Sequence, residues 1–112
     1  MTTTTLNRIN RNSENQAIKL AWRELGDSIE KHPSMNIGQL RYCTAHVYEN
    51  IDYYILQSYN TDVAFIRKSD GACFDVLRLV YGYTSTSARH ISKFFHDYAP
   101  STYLYNTHRY QK

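Results

Sequence analysis

The chain has 112 residues, a formal net charge of +3 and 42% hydrophobic residues. That length is one domain's worth and can bury roughly 65% of its unfolded surface, so a core can form without disulfide or metal staples. The mild positive charge excludes an acidic nucleic-acid mimic and the hydrophobic share excludes a disordered chain, while a nucleic acid or an acidic protein stays admissible as a partner.

Residues 1–13 (MTTTTLNRINRNS) hold Arg8 and Arg11 and no acid. Their weak periodicity reads as a flexible basic arm ahead of a single domain over 14–112. Ser13 and Gln16 fit a capping box. Ile18, Ala21, Trp22, Leu25 and Ile29 then recur at helical spacing, which predicts an amphipathic helix of about 15 residues. Gly26 weakens its last turn, and Pro33 ends it.

From residue 39 the pattern shortens to period two and β-branched and aromatic content rises. Four strands are expected, at about 39–48, 52–58, 62–68 and 72–81. Their breaks are Glu49-Asn50-Ile51-Asp52, Ser58-Tyr59-Asn60-Thr61 and Ser69-Asp70-Gly71, and Asp-Gly is a strong hairpin signal. Connections this short force antiparallel neighbours. A second helix opens on Thr84 or Ser85, either of which can cap it, and carries Ala88, Ile91, Phe95 and Tyr98 as its apolar stripe. Pro100 stops it. Residues 99–112 form a Tyr-rich tail with Tyr103, Tyr105 and Tyr110, able to dock on the sheet or on a partner.

The expected fold class is therefore α+β, a single domain of order α-ββββ-α. Its four-stranded antiparallel meander would carry both helices on one face. The other face would stay partly open and rich in tyrosine.

Candidate chemistry is sparse. Cys43 and Cys73 form no CxxC or CxxxC pair, so zinc spacing is absent, and two buried free thiols fit a reducing cytosol. Met1 to Thr5 has no apolar signal-peptide core, and no run approaches the ~20 apolar residues of a membrane span. A cytoplasmic location with no membrane contact is the expectation. Four glycines can write neither GxGxxG nor a P-loop. His90, in the first turns of the second helix, is the most tempting residue. A helix N-terminus favours its neutral form, and Ser85, Ser87, Asp62 and Asp75 are conceivable partners, though no spacing selects them. The structural alternative is a ring that packs and bonds locally. His32, His46, His90 and His96 make no metal spacing. No catalytic residue, metal ligand or cofactor is assigned. The stripe Arg89-Lys93-His96, followed by Arg109 and Lys112, could grip phosphates, with Tyr42, Tyr48, Tyr53 and Tyr54 as an aromatic platform beside it.

Two separated blocks carry a likeness. They are Ser58-Tyr59-Asn60-Thr61-Asp62-Val63-Ala64-Phe65-Ile66 and, after the Asp70-Gly71 hairpin, Tyr83-Thr84-Ser85-Thr86-Ser87-Ala88-Arg89-His90-Ile91 with Phe94-Phe95. Together they resemble an uncharacterised family of short proteins carried by phages, prophages and plasmids of Gram-positive bacteria. Those proteins show a "SYNT-x-V-A" strand and a "Y-S-x-T-T-x-x-H-I" helix opening. The likeness spans about residues 53–96 and departs at Thr84 and Ser87, which both keep a capping hydroxyl. It implies a mobile-element origin and a bacterial host cell, but no known activity.

The expected function is a non-enzymatic accessory protein that binds and blocks a host protein or nucleoprotein complex, a defence inhibitor of anti-CRISPR kind being one form. The alternative is a small nucleic-acid-binding regulatory module. The expected contact residues are Tyr53, Tyr54, Tyr59, Asn60, Arg89, Lys93, His96 and Arg109, because aromatics and arginine anchor such surfaces.

Overall fold

A six-stranded sheet organises the chain. The structure is a computed structural model that describes residues 3–40, 44–82 and 84–111, with side chains from residue 11 onward. Helix α1 (Thr3–Lys31) comes first, then strands β1 (Met35–Gln39), β2 (His46–Glu49), β3 (Tyr53–Ser58), β4 (Thr61–Arg67) and β5 (Cys73–Asp75). A short helix α2 (Leu77–Val80), helix α3 (Ser85–Tyr98) and strand β6 (Thr107–Arg109) complete it. The strands lie in chain order, all antiparallel except the β5–β6 pair, which is parallel.

The single α+β domain follows the expected class, but the sheet differs from a four-stranded meander in three places. The stretch expected as one strand over 39–48 instead holds the end of β1 and most of β2, which pair antiparallel with Met35 opposite Glu49 and Gln39 opposite His46. Alternation alone could not reveal the reversal, because its turn lacks an Asn-Gly or Asp-Gly signal. Tyr42 and Cys43 lie outside the described residues. The stretch expected over 72–81 stops at Asp75, whose Oδ1 accepts from the Leu77 N–H at 3.1 Å and turns the chain into α2. The tail then returns as β6 beside β5, so part of 99–112 is sheet.

The predicted breaks hold their chemistry. Asn50 is buried, and its Oδ1 accepts from the N–H groups of Asp52 (2.9 Å) and Tyr53 (2.8 Å), which closes the β2–β3 turn. Its Nδ2 donates to Ser28 Oγ and the His32 carbonyl, tying that turn to the end of α1. Tyr59 and Asn60 form a two-residue turn with φ of 52° and 65°, the left-handed pair that a tight hairpin needs.

Layering is the larger correction. The two long helices cover opposite faces of the sheet. Ile18, Ala21 and Leu25 of α1 pack with Ile55, Phe65, Phe74 and Val76. Ile91, Phe94 and Phe95 of α3 pack with Val47, Leu56, Ala64 and Ile66. Neighbours on a strand point to opposite faces, so β3 and β4, apolar at consecutive positions, must be covered twice. Val63 is the extra residue at the β3–β4 bulge and joins the α3 side. No open aromatic face is left on these central strands.

Helix α1 also begins earlier than expected. The segment read as a basic arm is helical backbone from Thr3, and Ser13 sits exposed inside the helix rather than capping it. The helix runs past Gly26 to Lys31, short of Pro33. The tail holds it in place. Asn15 and Gln111 exchange two hydrogen bonds, and His108 Nδ1 lies 2.8 Å from Glu14 Oε1.

Candidate functional site

Helix α3 is capped by Thr84, whose Oγ1 accepts from the Ser87 N–H at 3.1 Å. Its 14 residues separate cleanly by face. Ser87, His90, Ile91, Phe94 and Phe95 are buried, and Ser85, Arg89, Ser92 and His96 are exposed, with Lys93 beside them. The outward side lines a shallow groove of about 740 Å³ with Tyr103 as its far wall. The predicted stripe Arg89-Lys93-His96 is thus one surface. Lys93 pairs with Asp97 at 3.1 Å. Partial burial pushes the Asp97 carboxyl up, but hydrogen bonds from Lys93 and His96 outweigh it and hold it below the usual carboxylate range.

This groove continues around the sheet edge. It shares Ala88, Ser92 and Tyr103 with a second groove of about 270 Å³, which also holds Arg78 and Arg109. Those two arginines recur in a third groove, of about 270 Å³, with Arg11, Tyr110 and Gln111. The three together form one trough from α3, over β6, to α1. Six basic side chains border it, and Asp75 sits in its floor. Asp75 accepts from Arg109 Nε at 3.2 Å. Burial raises its pKa, while the Leu77 N–H and Arg109 pull the other way.

A second cluster joins the two motif blocks of the sequence. Ser58 Oγ, at the end of β3, lies 3.1 Å from Ser87 Oγ and 3.1 Å from His90 Nδ1. Ser58 and Ser87 are 1% and 0% exposed, and His90 is 5% exposed. The exposed Tyr59 ring sits 6.2 Å from the imidazole, centroid to centroid. Burial lowers the His90 pKa, which favours the neutral ring. A neutral ring carries one donor and one acceptor nitrogen, so it completes the network without a buried charge. The groove on α3 does not include Ser58, Ser87 or His90. The arrangement pins the β3–β4 turn to the first turns of α3 and thereby sets the α3 groove against the sheet.

The eight expected contact residues separate on this frame. Arg89, Lys93 and His96 share the groove, and Arg109 joins them through the trough. Tyr59 and Asn60 form the exposed tip beside His90. Tyr54 is half-buried, 5.2 Å from the Tyr98 ring and under the Lys68 ammonium. Tyr53 is buried against Phe65 on the α1 side and offers no surface, which corrects its assignment. Tyr48 is half-buried too. Sequence reasoning missed Arg11, Arg78 and the role of Tyr103 as a wall. Arg78 was read as strand and Arg11 as loose arm, so no local signal placed either along the trough.

Among the described residues, no group of three or more His, Cys, Asp or Glu could hold a metal. Cys73 is a buried free thiol with its pKa pushed up to about 11, mainly by burial, which makes it a poor nucleophile. No described helix is long and apolar enough to cross a membrane.

A family model described only as a family of unknown function, DUF8033, matches residues 29–111. That span holds the whole sheet, α3 and the Ser58–Ser87–His90 cluster, and leaves most of α1 outside. No curated protein and no solved structure matches the chain. The protein belongs to this family of unknown function, DUF8033.

Proposed function

We propose that the protein is a non-enzymatic binding protein whose contact surface is the basic trough, and that its partner is a nucleic acid, free or held in a nucleoprotein complex. One observation carries this: adjoining grooves with shared walls set Arg11, Arg78, Arg109, Arg89, Lys93 and His96 along a single path. A row of basic side chains suits a phosphate backbone, which repeats its charge along a line. Tyr103 and Tyr110 in the same walls add faces on which bases can stack. The motif likeness to mobile-element proteins supports an accessory role, in which the trough occupies the nucleic-acid-facing part of a host complex and blocks it, as a defence inhibitor does.

Fluorescence anisotropy with labelled single- and double-stranded oligonucleotides tests this. If about four phosphates are neutralised, affinity for duplex should fall roughly 100-fold between ~50 and ~200 mM salt. Arg89→Glu with Lys93→Glu should abolish binding while leaving the circular dichroism unchanged. No binding of either probe at the lower salt refutes the proposal.

A further inference from the structure

A groove of about 620 Å³ runs between α1 and α2. Its walls are Trp22, Leu79 and Val80, each only partly buried, and Lys19 and Arg23 stand on the α1 side. Gly26 forms part of its floor. A Cβ built at Gly26 meets nothing within 4 Å, so the fold itself does not require glycine there. Glycine at a mid-helix position weakens the helix, and its effect here is to keep the floor open. The lining carries two cations and no carboxylate.

We propose that this groove is a docking site for an acidic amphipathic peptide segment of a partner protein, which seats an apolar side chain on Trp22 and Leu79 and sets carboxylates against Lys19 and Arg23. Apolar walls beside a rim of one charge sign select that chemistry. The apolar part supplies affinity, and the cations reject basic segments with the same hydrophobic pattern. A helix laid in a groove with anchors one turn apart is a recurrent way to meet such a surface. The site shares no lining residue with the trough, although Lys19 lies over the ring of Tyr110, a trough residue, 5.8 Å from its centroid.

Trp22 is the sole tryptophan of the chain, so its emission reports on this groove alone. The probe is a synthetic peptide with leucine and phenylalanine at helical spacing and glutamates elsewhere, lacking tryptophan. Its counterpart replaces every glutamate by lysine. Titration with the acidic peptide should shift Trp22 emission saturably, and the lysine counterpart should bind at least about tenfold more weakly. Gly26→Leu fills the floor and should weaken the acidic peptide at least about tenfold, with the helical circular dichroism retained. Arg23→Glu gives a second variant that leaves the groove's shape intact and should weaken binding likewise. Equal response to both peptides, no emission change, a Gly26→Leu protein that binds as well as the parent, or a shift driven by the protein's own concentration would each overturn the proposal. The last outcome would mark a second copy of the chain as the occupant.

Discussion

Replacing Ser58 by alanine removes the hydroxyl that both Ser87 and His90 contact, each at 3.1 Å. Ser87 has no exposed surface, so its hydroxyl cannot turn to water. A buried polar group left without a partner costs about 1–3 kcal/mol. His90 keeps a sliver of exposure and recovers part of its loss through water. The two together place Ser58→Ala at about 2–4 kcal/mol, a large share of the 5–15 kcal/mol typical of a whole domain. Ser87→Ala removes one bond and leaves the Ser58–His90 contact intact, so it should cost only about 1 kcal/mol. Urea denaturation followed by circular dichroism at pH 7.5 measures both. With a slope of about 1.5 kcal/mol/M, the Ser58→Ala midpoint should fall by roughly 1–3 M at unchanged slope. A Ser58→Ala protein within about 0.5 kcal/mol of the parent, or one more stable than Ser87→Ala, would show that the cluster does not pin the hairpin to α3.

The remaining predictions address single physical causes. Burial lowers the His90 pKa in the folded state, so the unfolded chain takes up the proton first as pH falls below about 6.5. Stability from this group is therefore full above that pH and declines toward pH 5.5. His90→Asn, whose amide can still face Ser58, should flatten the slope in denaturation at the two pH values. Thr84→Ala deletes the α3 cap and should cost about 1 kcal/mol in thermal or urea unfolding. Two glycines should respond with opposite signs. Gly71→Ala meets φ of +72° and a Cβ 2.9 Å from Thr102 Cγ2, and should destabilise by about 2 kcal/mol. Gly26→Ala meets open space inside a helix and should stabilise by about 0.5–1 kcal/mol, read as a higher melting temperature.

Much of the candidate surface was readable from α3 alone. Arg89, Lys93 and His96 fall on one face because helical spacing puts them there, and the hydroxyls of Thr84 and Ser85 mark the helix start. The continuation of that surface was hidden. Arg109 reaches α3 only because the tail returns as β6 beside β5, and Arg78 only because the chain leaves the sheet at Asp75. The meeting of Ser58 with Ser87 and His90 spans about thirty residues and has no periodic signature, although both partners lay in blocks that stood out as motifs.

The chain by itself determined whatever depends on neighbours a few residues apart. The stripe Ile18, Ala21, Leu25, the turns at 49–52, 58–61 and 69–71, the α3 cap and the α3 stripe all follow from backbone periodicity and local hydrogen bonding. Tertiary packing decided the rest. Consecutive apolar residues in β3 and β4 call for cover on both faces, but which segment supplies each cover is decided only when the helices dock. That choice buried Tyr53 and closed the expected aromatic face. It left charge along α3 and the β6 edge as the exposed chemistry, because which surface remains open depends on contacts between segments far apart in the chain.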